Sequence, residues 1–423
     1  MRTLIGRLFF LLIAISFLGC SAPVTEEDFD AESAWEELEG VLREQYAYLD
    51  RQDAAFEETI GAFKARAAKA GSIKEFIDLS QSFLRHFQDP HLNLGPYDEN
   101  DFSVFPTGSD LRAVYEDEIF LIEDVKAGGT ADLAGIRPGA ELIEIDGLEP
   151  KEAVEAVLGV PFDSLSADKL TYGINIALGG YRNRQREILL KEEDGPVSYP
   201  LAASYQAIDE LNNGPTLSFE RIGEFGYIRF NNSLGNQETT RAFEDAISSL
   251  LDTEALIIDL RNTPSGGNTG VAEPILGHFV ETKTAYQLYR TQKKGVPYTE
   301  AEMKTAYAKP NAPYYSKPFV VLAGRWTGSM GEGMTIGLDA IGAVEVIGAP
   351  MADLLGGIKT TKLKESNAWL EFGFERMYHV DGTFREDYEP GTMISPADRD
   401  ANGDDPSLSL ALSVLEKAIQ DSK

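Results

Sequence analysis

The chain has 423 residues, 69 of them acidic against 38 basic, and a formal net charge of −31 at pH 7. That balance argues against nucleic acid or anionic lipid headgroups as partners, because phosphate recognition needs clustered lysine and arginine. The length allows two or three domains with sizeable cores, and the only cysteine, Cys20, leaves no intrachain disulfide to propose.

The chain begins MRTLIGR, with two arginines, and continues with the uncharged apolar run LFFLLIAISFL before GCSAP. This is the order of an export signal, and the apolar run is too short for a confident membrane span. Phe17-Leu18-Gly19-Cys20 resembles a bacterial lipobox, although Phe17 stands where leucine is usual. On that resemblance residues 1–19 are a signal peptide, Cys20 is the lipidation site and 20–29 a linker. Ser21 then favours the outer membrane, so the chain is expected to be an exported lipoprotein facing the periplasm or the cell surface, anchored by its N-terminal lipid.

From residue 30 to 98 apolar residues recur at helical spacing: Trp35, Leu38, Leu42 and Tyr46, then Phe56, Ile60 and Phe63, then Phe76, Leu79 and Phe83. Ser72 and Glu75 spell a capping box at the start of the last helix. The helical region closes on DPHLNLGP. Between about 100 and 205 the pattern changes to strands and turns, with runs at Ile119 to Val125 and Glu141 to Ile145 and a hairpin turn at Asp146-Gly147. Ala134 to Gly139 and Leu142 to Gly147 resemble the PDZ domain of bacterial processing proteases, which implies capture of an extended peptide at a sheet edge. From 215 to the end, FGYIRF, ALIIDL, FVVLAG and VEVIGA are runs of buried-strand length separated by helix-like segments, so the fold class is multidomain α/β.

Two glycine-bearing turns follow strands in this last region: Asp259-Leu260-Arg261-Asn262-Thr263-Pro264-Ser265-Gly266-Gly267, and Gly328-Ser329-Met330-Gly331-Glu332. In this order, behind a PDZ-like segment, they resemble the tail-specific or C-terminal processing protease family and its tricorn-core and retinoid-binding-protein relatives. The resemblance implies a crotonase-like protease core and a serine endopeptidase acting on peptides or unfolded proteins, with Ser329 as nucleophile. Serine needs a base for its proton and donors for the oxyanion. One branch of the family places a lysine 25 residues after the serine, a position held here by Leu354, and Lys359 is the nearest downstream alternate. The other branch uses a histidine in a D-x-H turn, which Asp89-Pro90-His91 matches. In that branch a glutamate near the C-terminus supports the histidine, for which Glu386 and Glu389 both qualify and family spacing favours Glu386.

The backbone amide of Met330 and one from Gly266-Gly267 are the candidate oxyanion donors. Glu332, in the first helical turn, is explained equally well as a helix-start carboxylate. The sequence holds no metal-ligand pattern, so neither a metal nor another cofactor is expected. A catalytically inactive relative that binds peptides or apolar ligands, a serine–lysine enzyme using Lys359, and an acyl-transfer enzyme acting on an ester are the alternatives.

Overall fold

The computed structural model describes residues 23–192 and 195–421. The signal peptide and Cys20 lie outside them. Helices α1 (Ala31–Gln45), α2 (Phe56–Ala67) and α3 (Ile73–Leu84) form the N-terminal region. Asp30 caps α1 by accepting from the Glu32 amide, and Ser72 Oγ accepts from the Glu75 amide at 3.1 Å. Glu75 reaches one residue further back than a capping box requires, to the Gly71 amide at 2.8 Å. The apolar stripes of the three helices meet in one core, which Leu355, Leu363, Leu370 and Phe372 from the other end of the chain complete. The helical region is therefore packed into the rest of the molecule, not set apart from it.

Strands β1 (Asn93–Gly95), β2 (Leu111–Glu116), β3 (Ile119–Val125) and β4 (Glu141–Ile145) come next, with the short helix α4 (Thr130–Leu133) before β4. They lead to α5 (Pro150–Leu158), α6 (Ala167–Gly179), β5 (Arg186–Glu192) and β6 (Gly195–Leu201). An antiparallel sheet runs β2-β3-β4-β5-β6. Asp146 and Gly147 do make a tight turn, at φ 52° and 78°, but it closes only on an Ile145–Leu148 bridge. Pro150 at the first position of α5 turns the chain into a helix, so no hairpin forms there.

Strand β2 is an edge strand, and that edge is already filled. The Ala113 amide donates to Asn175 Oδ1 and Asn175 Nδ2 donates to the Ala113 carbonyl, both at 2.8 Å. The Tyr115 amide donates to Thr171 Oγ1 at 3.1 Å. Side chains of α6 thus occupy the positions that an added peptide strand would take, and capture at β2 would require α6 to give them up.

The remaining chain contains α7 (Ser204–Asn212), β7 (Leu217–Ile222), β8 (Phe225–Phe230), α8 (Glu238–Leu250), β9 (Ala255–Asp259) and α9 (Thr269–Leu276). It continues with β10 (Thr284–Thr291), β11 (Lys304–Ala308), β12 (Phe319–Ala323), α10 (Met330–Ile341) and β13 (Glu345–Gly348). Strands β14 (Gly357–Lys362), β15 (Trp369–Tyr378) and β16 (Thr392–Met393) and helix α11 (Pro406–Asp421) end it. A six-stranded sheet has the order β16-β13-β12-β9-β8-β7 and is parallel except for β7. Its central strands β9 and β12 are buried on both faces, which is why they read as unbroken apolar runs. Helices α8, α9 and α10 cover one face and α11 the other. A further sheet joins β1, β15, β10 and β11, with β14 on the opposite side of β15.

The Asp259-Leu260-Arg261 motif works here as scaffolding. Arg261 is fully buried and donates to Asp259, to Asp405 and to the Ala397 carbonyl at 2.8 to 3.0 Å. It clamps the segment leading into α11 beneath β9, and so fixes where the following turn emerges.

Candidate active site

Ser329 sits at the N-cap of α10 with φ 51° and ψ −110°. Residues with a Cβ seldom adopt this backbone, and its strain persists only where the surroundings impose it. Three bonds do so: the Gly328 amide donates to the Thr263 carbonyl at 3.2 Å, the Gly333 amide to the Ser329 carbonyl at 3.0 Å, and Arg385 Nη1 to the same carbonyl at 3.3 Å. Ser329 and Glu332 have capping-box spacing, yet the serine side chain makes no cap bond. Its hydroxyl is left half-exposed without a hydrogen-bond partner among the described residues.

Glu332 is buried and lies 3.3 Å from Arg385. Burial pushes its carboxyl up to about 8, against the opposing pull of Arg385 and the Ser329 and Asp353 amides. It packs under the turn that carries the serine, and Arg385, which also donates to the Leu354 carbonyl, ties that turn to a second one.

Gly266 approaches the serine closely. A Cβ on it would stand 2.3 Å from Ser329 Cβ and 2.9 Å from the Met330 nitrogen, and its φ is 63°. Only glycine suits both demands. The Gly266 amide, however, donates to the Thr263 carbonyl at 3.0 Å, which removes it as an oxyanion donor. The Met330 and Gly267 amides have no acceptor among the described residues and remain available.

Gly331 is equally constrained, since a Cβ there would meet Thr263 Oγ1 at 2.1 Å. Thr263 cannot rotate away without losing its bond to the Leu260 carbonyl at 2.8 Å. In a helix, glycine-to-alanine usually gains about 1 kcal/mol, whereas overpacking costs about 1–3 kcal/mol. Gly331→Ala is therefore expected to lower thermal stability and activity together, as read by a melting curve and a turnover assay. A stabilised, fully active variant would contradict this packing account.

His91 lies in the turn after α3, buried. Its Nδ1 is 3.1 Å from the Leu355 carbonyl. A carbonyl only accepts, so Nδ1 carries the proton and Nε2 presents its lone pair. Burial lowers the imidazole to about 4, with the Leu355 carbonyl pulling the other way and Arg385 adding to the depression. The ring is therefore neutral near pH 7. Asp89 organises the turn: its Oδ1 accepts from the His91 amide at 2.9 Å and the Leu355 amide at 3.2 Å, and its Oδ2 accepts from the Tyr46 hydroxyl at 2.9 Å. Burial raises the Asp89 carboxyl to about 7.

Glu386 does not support His91 in this structure. Its buried carboxylate lies 2.6 Å from Arg376 Nε and 3.5 Å from Arg51 Nη1, and the Nδ1 position it was expected to fill belongs to the Leu355 carbonyl. Glu389 is exposed at the surface. Lys359 donates to Gln45 at 2.8 Å and lies over the Phe372 and Phe374 rings, with no contact to Ser329. Leu354, at the position where the lysine branch carries its base, packs its methyl groups 3.2 to 3.4 Å from a Cβ built on Gly328. An apolar side chain thus fills the place beside the serine turn.

The segment 351–355 separates two cavities. One, of about 250 Å³, is lined by His91, Leu354, Ser265 and Thr107. The other, of about 610 Å³, includes Arg51, Arg112, Asp353 and Leu355 and runs along β2 and α6. The structure brings His91 and the Ser265-Gly266 turn to one cavity wall, and Gly266 to Ser329, but it forms no Ser329–His91 hydrogen bond. Arg385 and the Leu354-Leu355 carbonyls were not singled out from the sequence. Among the described residues no group of three or more His, Cys, Asp or Glu stands ready to hold a metal ion.

A strained serine at a strand-to-helix turn, on a parallel sheet with a glycine backbone against it, defines a serine-type hydrolase core. Residues 224–392 match the model of Peptidase family S41. The fold is similar to that of a photosystem II D1 C-terminal processing protease, with a TM-score of 0.54 at 18% identity over 88% of this chain and 96% of that one. It is also similar to that of mature CPAF, with a TM-score of 0.61 at 14% identity over 92% and 96%. No curated protein matches the chain by sequence.

Proposed function

We propose that the chain is an exported, lipid-anchored serine endopeptidase that hydrolyses peptides or unfolded proteins through an acyl-enzyme on Ser329, with His91 as the base. The observation that carries this reading is the uncapped Ser329 hydroxyl, held at a strained backbone beside the unengaged Met330 amide. Ser329 Oγ attacks the substrate carbonyl carbon as His91 Nε2 takes its proton. The oxyanion draws the Met330 and Gly267 amides, and the imidazolium returns the proton to the leaving amine. Water then repeats the sequence on the acyl-enzyme. The serine–histidine contact is open here, and such bonds commonly tighten only when substrate binds. Substrate entry fits the two cavities flanking 351–355 better than the filled edge of β2.

Incubation with a denatured protein and with a fluorophosphonate probe, followed by mapping of the labelled peptide, tests the reading. Label on Ser329 with concurrent hydrolysis supports it, and label elsewhere or no hydrolysis sinks it. Export is tested separately. Cys20→Ala, made in a Gram-negative host, is expected to lose lipidation and shift from the membrane to the soluble fraction with its melting curve unaltered. A wild-type protein that already fractionates as soluble would remove the lipoprotein assignment.

A further inference from the structure

The cavity that His91 lines holds a cation that neither the scaffold nor the proposed mechanism uses. Arg182 comes after α6 on a turn anchored by its own amide, which donates to the Asp101 carbonyl at 3.2 Å. Its guanidinium lies 3.7 Å from the Tyr97 ring centroid and 4.5 Å from that of Tyr205, and all three residues line the 250 Å³ cavity. Its Nε is buried without a hydrogen-bond partner, and no carboxylate among the described residues pairs with it. Elsewhere in this acidic molecule arginines, some more deeply buried than the half-buried Arg182, do face one: Arg376 meets Glu386, Arg325 meets Glu123 and Arg186 meets Asp110.

A guanidinium withdrawn from water needs an anion or hydrogen bonds in exchange. Two aromatic faces replace part of that hydration and hold the planar fork in one orientation. The Tyr205 side chain also accepts a hydrogen bond from Arg182, but neither tyrosine supplies the negative charge of a carboxylate. Glu371 is the cavity's one acidic lining residue. It is directed to Thr360, whose hydroxyl donates to it at 3.4 Å, and burial raises its pKa, so it leaves Arg182 uncompensated.

We propose that Arg182 is a specificity-determining residue that receives a carboxylate of the substrate in a subsite next to the scissile bond. This rests on the peptidase reading of Ser329 and His91. The carboxylate comes from an aspartate or glutamate side chain or from the substrate's own C-terminus, and either accepts two parallel N–H bonds from the fork. The cavity has the volume of an amino-acid side chain and reaches from Arg182 to His91 and to Ser265 beside Gly266. A carboxylate seated on Arg182 therefore sets the register of the peptide at the serine.

The test is digestion of a synthetic peptide library, with free and with amidated C-termini, by the wild type, Arg182→Met and Arg182→Lys, with cut sites mapped by mass spectrometry. Methionine keeps an unbranched side chain between the two tyrosines while removing the charge. For a side-chain carboxylate, wild type should cut at a fixed distance from Asp or Glu, about 10- to 100-fold faster than the Asn or Gln counterpart, the range for a hydrogen-bonded charge. For a terminal carboxylate, cuts should lie at a fixed distance from the C-terminus and slow by a similar factor on amidation. Arg182→Met should bring either ratio close to 1, with Arg182→Lys between. Equal ratios in wild type and Arg182→Met, or a wild type that hydrolyses the library with neither preference, would overturn the proposal. Absence of all hydrolysis by wild type would instead sink the peptidase reading. In that case fluorescence anisotropy of the labelled acidic and neutral peptides, with Arg182 intact or as methionine, still decides whether the carboxylate is recognised.

Discussion

Ser329→Ala is expected to abolish hydrolysis and fluorophosphonate labelling while moving the unfolding free energy by less than about 1 kcal/mol. Alanine keeps the Cβ, so the strain of φ 51° and ψ −110° is the same before and after, and the hydroxyl that is removed makes no bond in the folded protein. Ser329→Gly separates strain from chemistry. Glycine relieves a backbone penalty of about 1–3 kcal/mol but loses about 0.5–1 kcal/mol to the larger freedom of its unfolded chain. The net expectation is an inactive protein that is more stable than wild type by about 1 kcal/mol. Equilibrium urea unfolding of the three proteins, read with a peptide turnover assay, measures both effects. If Ser329→Ala turns over at the wild-type rate, the serine leaves the mechanism. If Ser329→Gly is less stable than Ser329→Ala, the strain at this turn is not being imposed by the fold.

That strained turn is legible in the sequence because both of its flanks announce themselves. FVVLA is a continuous apolar run, as a parallel strand buried on both faces must be, and the glycines around Ser329 mark positions where backbones touch. ALIID and VEVIG are readable for the same reason, and the N-terminal helices through their 3.6-residue stripes. The second half of the site lies in contacts across great sequence separation. Nothing local in MADLLGG reports that the Leu355 carbonyl meets His91 Nδ1, 264 positions away. The surroundings of Glu386 are hidden from the sequence for the same reason. Its spacing from Ser329 is visible in the sequence, but its partners Arg376 and Arg51 come from β15 and the turn after α1. The turn at Asp146-Gly147 is correct as local chemistry and wrong as a hairpin, because Pro150 starts a helix where the second strand would have to run. Arg182 carries no signal at all in sequence, since its ring partners Tyr97 and Tyr205 come from before β2 and after β6.

His91→Ala is expected to lower kcat/KM by about three to four orders of magnitude, as removal of a base does in serine hydrolases of this kind, whereas Lys359→Met is expected to leave it within a factor of about two. The pH profile makes the distinction sharper. A base works while deprotonated, so the rate falls as pH drops through its pKa in the free enzyme. Burial holds His91 near 4, so the acid limb of kcat/KM should lie near pH 4, well below the value of about 6.5 of a solvated imidazole. The neutral Leu355 carbonyl fixes the tautomer as a carboxylate would, but it does not bring a negative charge to stabilise the imidazolium formed in the transition state. That same absence keeps the ground-state pKa low, so a wide pH range of activity and a modest maximal rate go together. A carboxylate introduced by no more than a rotation of Glu386 would have to break its buried pairing with Arg376, which makes such a switch costly. For a lysine base, burial lowers Lys359 from its usual value, but the rate would still rise only on the alkaline side. An alkaline rise, with Lys359→Met inactive and His91→Ala near normal, would reassign the base and leave the Asp89-Pro90-His91 turn as the packed end of the helical region.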